Sequence, residues 1–240
     1  MVKRILFSIV VITCQGLALA SDAPPKLVFY TEDYPPFSYT RDTRMTGINT
    51  ELLRNVAREI NLDVTFMEVP WARAQAWTQE RDNACFFSAA RTEARESIYQ
   101  WAGPLSIERI TLFSANESIS PLASISEAEA YSIGGRSLDF YTQFVQQQGL
   151  EVDVVSESGL NLEKLSRGRI DLWIAGSIGG PYIAAQFGAS IFPVVSSEES
   201  FPLWLACNLG VASDLVRKID QSIESIRNSD FLENMMQNYR

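Results

Sequence analysis

Histidine does not occur anywhere in the 240 residues. Its absence removes the Ser-His-Asp and Cys-His arrangements of nucleophilic catalysis, together with the commonest ligand of transition metals. Carboxylates, Lys, Tyr, Cys and Ser remain for acid, base or nucleophilic chemistry, so catalysis is disfavoured rather than excluded. Cysteine is scarce as well, with only Cys14, Cys85 and Cys207. Basic residues number 20 against 29 acidic ones, a net charge of -9, which speaks against a nucleic-acid partner. Beyond the first 20 residues no apolar run approaches the roughly 20 residues that a membrane-spanning helix needs. There is no internal repeat and no low-complexity tract.

What is present begins with an export signal. Lys3 and Arg4 form a short positive stretch, an apolar run follows from Ile5 to Ile12, and Ala18-Leu19-Ala20 supplies the small-x-small pattern of a cleavage site. Residues 1–20 are therefore expected to be a signal peptide and Ser21 the first residue of the mature protein. A lipoprotein reading would use Cys14, but Thr13 before it is bulkier than such processing favours. Loss of Lys3 and Arg4 leaves 18 basic residues against 29 acidic ones, a net charge of -11. About 220 residues remain, enough to bury around 70% of the unfolded surface in one large core or two small ones.

From Lys26 onward the pattern is α/β. Leu27 to Tyr30 reads as a strand, Tyr34-Pro35-Pro36-Phe37 breaks it, and Thr50 to Leu62 carries Leu53, Ala57 and Ile60 at helical spacing. Val64 to Val69 is rich in strand formers, Ala72 to Gln79 reads as helix, and Ala84 to Ser88 as strand again. A second run of the same kind begins near Tyr131: strand to Gly134, helix from Leu138 to Gln148, strand Val152 to Val155, helix Leu160 to Arg167, strand Ile170 to Ala175. The Ser- and Glu-rich stretch Ser114 to Ala130 between them reads as a surface connection. Leu215, Ile219, Ile223 and Ile226 share one helical face, and Phe231 to Tyr239 is expected to add a terminal helix. Gly134-Gly135 and Gly179-Gly180 lack the Lys-Ser/Thr ending of a phosphate loop and are read as turns. No metal or cofactor is implied.

Several short motifs in a fixed order resemble the bacterial extracellular solute-binding proteins of family 3, which include the polar amino-acid receptors of ABC importers. They are Tyr34-Pro35-Pro36-Phe37, Gly47 with its following helix, Trp71, Thr92-Glu93-Ala94-Arg95, Trp101-Ala102-Gly103-Pro104 and Gly168-Arg169-Ile170-Asp171. The resemblance runs from about Leu27 to the C-terminus. It implies the type II periplasmic-binding-protein fold: two α/β lobes, each a sheet flanked by helices, joined by two crossing strands. Lobe 1 would comprise residues 26–106 and 201–240, and lobe 2 residues 107–200. It further implies a monomer in the periplasm that closes its interlobe cleft on a small anionic solute and presents it to an ABC permease or a membrane sensor in trans.

The same resemblance singles out Arg95 as the clamp of a solute carboxylate, a task suited to guanidinium because its planar fork gives two parallel charge-assisted hydrogen bonds. Thr92 would donate to the same anion, Tyr34 would lay its ring over the solute, and Ser88, at a strand end facing the cleft, would hydrogen-bond the carboxylate. Read structurally, Thr92 is an N-cap, Arg95 a solvated first-turn residue, and Tyr34 a ring packed beside two prolines. Trp71 is either cleft wall or lobe core. Arg73 and Arg91 would add positive charge beside Arg95, or are ordinary surface arginines. By the family topology the strands of Cys85 and Cys207 are neighbours, which leaves a disulfide open.

Two departures from the family pattern bear on the solute. The lobe 2 acid that usually holds a ligand ammonium falls at Gly176, and Gly135-Arg136-Ser137-Leu138 replaces the usual Gly-Thr/Ser-Thr loop. A carboxylate without an amine is therefore as well supported as a standard amino acid. The alternative activity is a periplasmic lyase or dehydratase on a cyclic carboxylate, which requires a cleft acid and base that the sequence does not place. Asp171 is expected to be structural.

Overall fold

The computed structural model describes residues 24–137, 139–156, 158–230 and 234. The signal peptide expected over residues 1–20, Cys14, Leu138 and most of the helix expected over Phe231 to Tyr239 lie outside the described residues.

Apolar, β-rich runs make three short parallel strands: β1 (Lys26–Thr31), β4 (Asp63–Glu68) and β5 (Ala84–Ala90). The crossovers are α1 (Ile48–Glu59) and α2 (Trp71–Glu80). Ile48, Leu52, Leu53 and Val56 recur at helical spacing and are buried, which fixes the face that α1 lays on the sheet. Between β1 and α1 a hairpin of β2 (Tyr39–Arg41) and β3 (Arg44–Thr46) turns at Asp42 and Thr43, both at positive φ. Gly47, at φ 114, permits the close approach of this loop to the Phe37 carbonyl, where a side chain would collide.

Two long antiparallel strands, β6 (Gln100–Ser114) and β10 (Phe192–Cys207), then run side by side through the molecule. On their far side lie β7 (Ile133–Arg136), β8 (Asp153–Val155) and β9 (Leu172–Gly176), with α4 (Phe140–Gln147), α5 (Ser158–Ser166) and α6 (Gly179–Gln186). The short α3 (Glu93–Glu96) follows β5, and α7 (Ser213–Arg227) returns to pack on the first half. The sheet order is β4-β1-β5-β10-β6-β9-β7-β8. The register of β10 on β6 shifts between Ser196 and Ser200 and again between Leu203 and Leu205, where the ribbon passes from one half to the other. These are the crossing strands of the two-lobed fold. Among the described residues four core clusters result, two built around β4-β1-β5 and two around β9-β7-β8, so each half has its own core on both faces of its sheet.

Cys85 and Cys207 face each other on β5 and β10 and are joined by a disulfide, their Cα atoms 3.9 Å apart. The glycine pairs are not turns. Gly134 and Gly135 lie within β7, where added Cβ atoms would strike Asn161 and Ile170, or Thr142 and Val152; Gly180 lies in α6, where one would strike Phe113. These glycines serve close packing of helices on the sheet. The stretch from Ser114 to Ala130 contains a 3-10 helix, Ile125–Ala130, that buries Ile125 and Ala128.

Candidate functional site

Parallel strands place their carboxyl ends along one edge, and loops leaving that edge can converge on a ligand. The segments after β1, β4 and β5 carry Tyr34, Trp71 and the run Arg91 to Arg95. Those after β7 and β9 carry Tyr141 and Ser177 to Gly179. The two edges meet: the hydroxyls of Tyr34 and Tyr141 are 3.5 Å apart, Arg41 donates from Nη2 to the Tyr182 hydroxyl at 3.4 Å, and the Tyr39 and Tyr182 rings stand 6.0 Å apart.

On the first-half side, Thr31, Ser38, Asn49 and Ser88 form a buried polar group. The Ser38 hydroxyl lies 2.7 Å from Thr31 Oγ1 and 3.2 Å from Ser88 Oγ, and Asn49 Nδ2 donates to Ser88 Oγ at 3.1 Å. Tyr34 joins through its backbone N–H, which donates to the Ser38 carbonyl. Ser88 has a φ of 60, in the left-handed region that a non-glycine residue seldom adopts, and such outliers concentrate at ligand sites. Asn49 Oδ1 is buried and accepts no hydrogen bond among the described residues.

Arg95 is half-buried, its guanidinium 5.7 Å from the Trp71 ring centre and one N–H donating to the Ala90 carbonyl at 3.1 Å. No carboxylate of the described residues forms an ion pair with it. Trp71 packs edge-to-face with Phe86 of the core, as the core reading expected, and Arg95 lies over its ring. Thr92 occupies the N-cap position of α3 without a side-chain hydrogen bond there. Arg91 is engaged by both oxygens of Glu96 and lies over Trp101 and Trp204. Arg73 lies over Trp77 on α2. The structure thus brings Arg95 together with Trp71, and Tyr34 with Ser88, while Arg91 and Arg73 each have partners of their own.

Sequence reasoning missed Glu108, on β6 where it passes between the halves. Only 1% of Glu108 is exposed. Its Oε1 accepts the Ile178 N–H at 2.7 Å, and its Oε2 accepts the Tyr141 hydroxyl at 3.4 Å. Burial pushes its carboxyl up to about 7, against the opposing pull of the hydrogen bonds from Ile178, Gly179, Tyr141 and Ser177. Burial likewise raises Tyr34 to about 12 and Tyr141 further. Gly176 explains how the carboxyl fits, because a Cβ on that residue would sit inside the contact radius of Glu108 Oε2. The acid missing from position 176 is thus matched by one reaching the same space from the neighbouring strand. Gly176→Ala is expected to lower stability by about 1–3 kcal/mol by overpacking, and the loss should shrink in a Glu108→Ala background. Equal losses in the two backgrounds, measured by urea denaturation, would contradict this packing.

A family model described as bacterial extracellular solute-binding proteins, family 3, matches residues 27–240. No curated protein matches the chain. Among solved structures, the L-cystine solute receptor of Neisseria gonorrhoeae in its unliganded open conformation superposes with a TM-score of 0.77 at 19% identity, over 90% of this chain and 92% of that one. The second substrate-binding domain of Lactococcus lactis GlnP, also open, gives 0.76 at 15% identity over 93% and 98%. An ancestral amino-acid-binding protein, described as a precursor of cyclohexadienyl dehydratase, gives 0.62 at 15% identity over 89% and 94%. At these identities the superpositions establish the shared two-lobed fold.

Proposed function

The chain belongs to the bacterial extracellular solute-binding proteins of family 3, and from that premise we propose that it captures a small carboxylate-bearing solute, an amino acid or a related organic anion, between its two lobes without chemically altering it. The observation that carries this reading is Arg95. Its guanidinium is oriented by Ala90 and Trp71 and has no carboxylate of the described residues against it, whereas Arg91 beside it is filled by Glu96. A positioned, unneutralised fork at the carboxyl edge of a parallel sheet suits a carboxylate. In a mature chain of net charge -11 the local positive potential also draws anions to that point. Thr92, Ser88, Tyr34 and Trp71 supply donors and an aromatic wall around it, and Arg73 and Arg91 add to the field. The lobes, 26–106 with 201–240 and 107–200, close about β6 and β10. After export to the periplasm with loss of residues 1–20, the monomer presents its solute to an ABC permease or a membrane sensor. Among the described residues no helix is long and apolar enough to cross a membrane.

A thermal-shift screen tests this. Amino acids, each paired with its deaminated counterpart, and dicarboxylates are the probes, because Glu108 is already engaged by Ile178 and Tyr141 and the amine has no assigned partner. A solute present at 100 times its Kd should add about 2.7 kcal/mol. A flat response to every small anion would reject the reading. One observation favours a second activity: Glu108, with its carboxyl raised to about 7, is a group able to serve as general acid near neutrality. Turnover of a cyclohexadienyl carboxylate that tracks the purified protein would establish that dehydratase activity in place of simple capture.

A further inference from the structure

Glu108 is a buried carboxyl, and among the described residues the groups that act on it include no lysine or arginine. Tyr141 faces it from α4 and the turn from Ser177 to Gly179 faces it from the start of α6, while Asp139, the N-cap of α4, acts on Tyr141 and is ion-paired with Arg136. Beyond Tyr141 stands Tyr34 from the other lobe, with Glu32 acting on Tyr34. Arg109, next in sequence, turns away to the Ser197 and Glu198 carbonyls. Among the described residues the cluster therefore holds the Glu108 carboxyl and two phenols, with Asp139, paired to Arg136, and Glu32, beside Asp33, at its margins. It crosses the lobe boundary at the Tyr34 to Tyr141 contact.

We propose that Glu108, Tyr141 and Tyr34 form a proton-controlled latch between the lobes: protonation of Glu108 holds Tyr34 against Tyr141, and loss of that proton releases it. The inference rests on the reading of the cleft as one that opens and closes about β6 and β10. When Tyr34 withdraws, water reaches the cluster and the carboxylate form is better solvated, while its hydrogen bonds from Ile178 and Tyr141, all within the second lobe, are retained. The carboxyl is thus a weaker acid in the joined state than in the released one, because burial is the largest influence on it and outweighs those hydrogen bonds. By linkage, the state that holds the proton more tightly gains population as pH falls. Acidification through about 7 therefore favours the arrangement seen here. A partner role for Glu108 toward a solute ammonium would give the opposite sign, since that role needs the carboxylate.

The test uses the mature protein without solute, carrying dyes on cysteines at Glu80 and Glu163, exposed positions on α2 and α5. Single-molecule energy transfer between pH 8.5 and 5.5 should show the ratio of joined to released molecules rising on acidification, by up to about tenfold for each unit by which release strengthens the Glu108 acid. Glu108→Gln, which keeps the shape and removes the proton, should be mostly joined and insensitive to pH. Tyr34→Phe retains the cover but loses the hydroxyl contact, so it should keep the pH response at a lower joined fraction. A wild-type ratio that is flat or falls on acidification, or a response that survives in Glu108→Gln, would overturn the latch. Because no solute is present, failure here leaves solute capture standing, and failure of the solute screen leaves this measurement unaffected.

Discussion

Replacing Arg95 by Ala is expected to weaken binding of the screened solute by roughly 30-fold to several thousand-fold, because truncating one member of a desolvated charge pair costs about 2–5 kcal/mol. Arg95→Lys should fall between wild type and Ala, since the charge survives but the two-pronged geometry does not. The fold should be nearly indifferent. Arg95 gives one hydrogen bond to Ala90 and covers part of Trp71, and neither contact lies within a lobe core. Apo melting should therefore stay close to wild type. Arg91→Ala provides the comparison: its fork is already occupied by Glu96, so its loss should alter affinity less. Isothermal titration decides the matter, and an unchanged Kd in Arg95→Ala would remove this residue from the site.

Removal of the Cys85 to Cys207 bridge should produce the largest loss of stability, about 4–5 kcal/mol by loop-closure entropy, since the two cysteines are separated by 122 residues. That loop contains the whole of β6 and the second half of the molecule. In the unfolded chain the bridge restrains all of it, while in the folded protein it joins strands already paired. Urea denaturation of Cys85→Ala/Cys207→Ala against wild type measures the difference, which should be matched by wild type in a strong reductant. A loss below about 1 kcal/mol would mean that β5 and β10 need no covalent tie.

Burial of Glu108 has a stability consequence of its own. Its folded acidity, weakened to about 7 from the ordinary 4.5, makes the neutral form the favoured one in the native state. The associated stability is fully present below about 4.5 and is lost as pH rises through 7. Glu108→Gln should accordingly stabilise the protein most at alkaline pH.

Local chemistry in the chain was enough to specify most elements. The helical spacing of Leu53 and Ala57, and of Leu215, Ile219 and Ile223, marks α1 and α7 within a few residues, because an amphipathic helix must repeat its apolar face every three to four positions. Motif and order singled out Arg95 and Trp71 as candidates, and the two side chains meet in the structure. The long strands β6 and β10 were not legible by pattern. Their burial changes face and extent as they leave one core for another, and Gly103-Pro104 and the register breaks interrupt the alternation. Glu108 was invisible for the same reason. In sequence it is one acid among many, and what makes it a buried, weakly acidic group is a bare Gly176 backbone on the adjoining strand, the Ile178 N–H and two tyrosines from opposite lobes. Periodicity and motif are properties of neighbours along the chain, so the sequence determined most of the elements and singled out the arginine as a candidate. Desolvation depends on everything that surrounds an atom, so only the tertiary structure decided which carboxyl would be held at the crossing between the lobes.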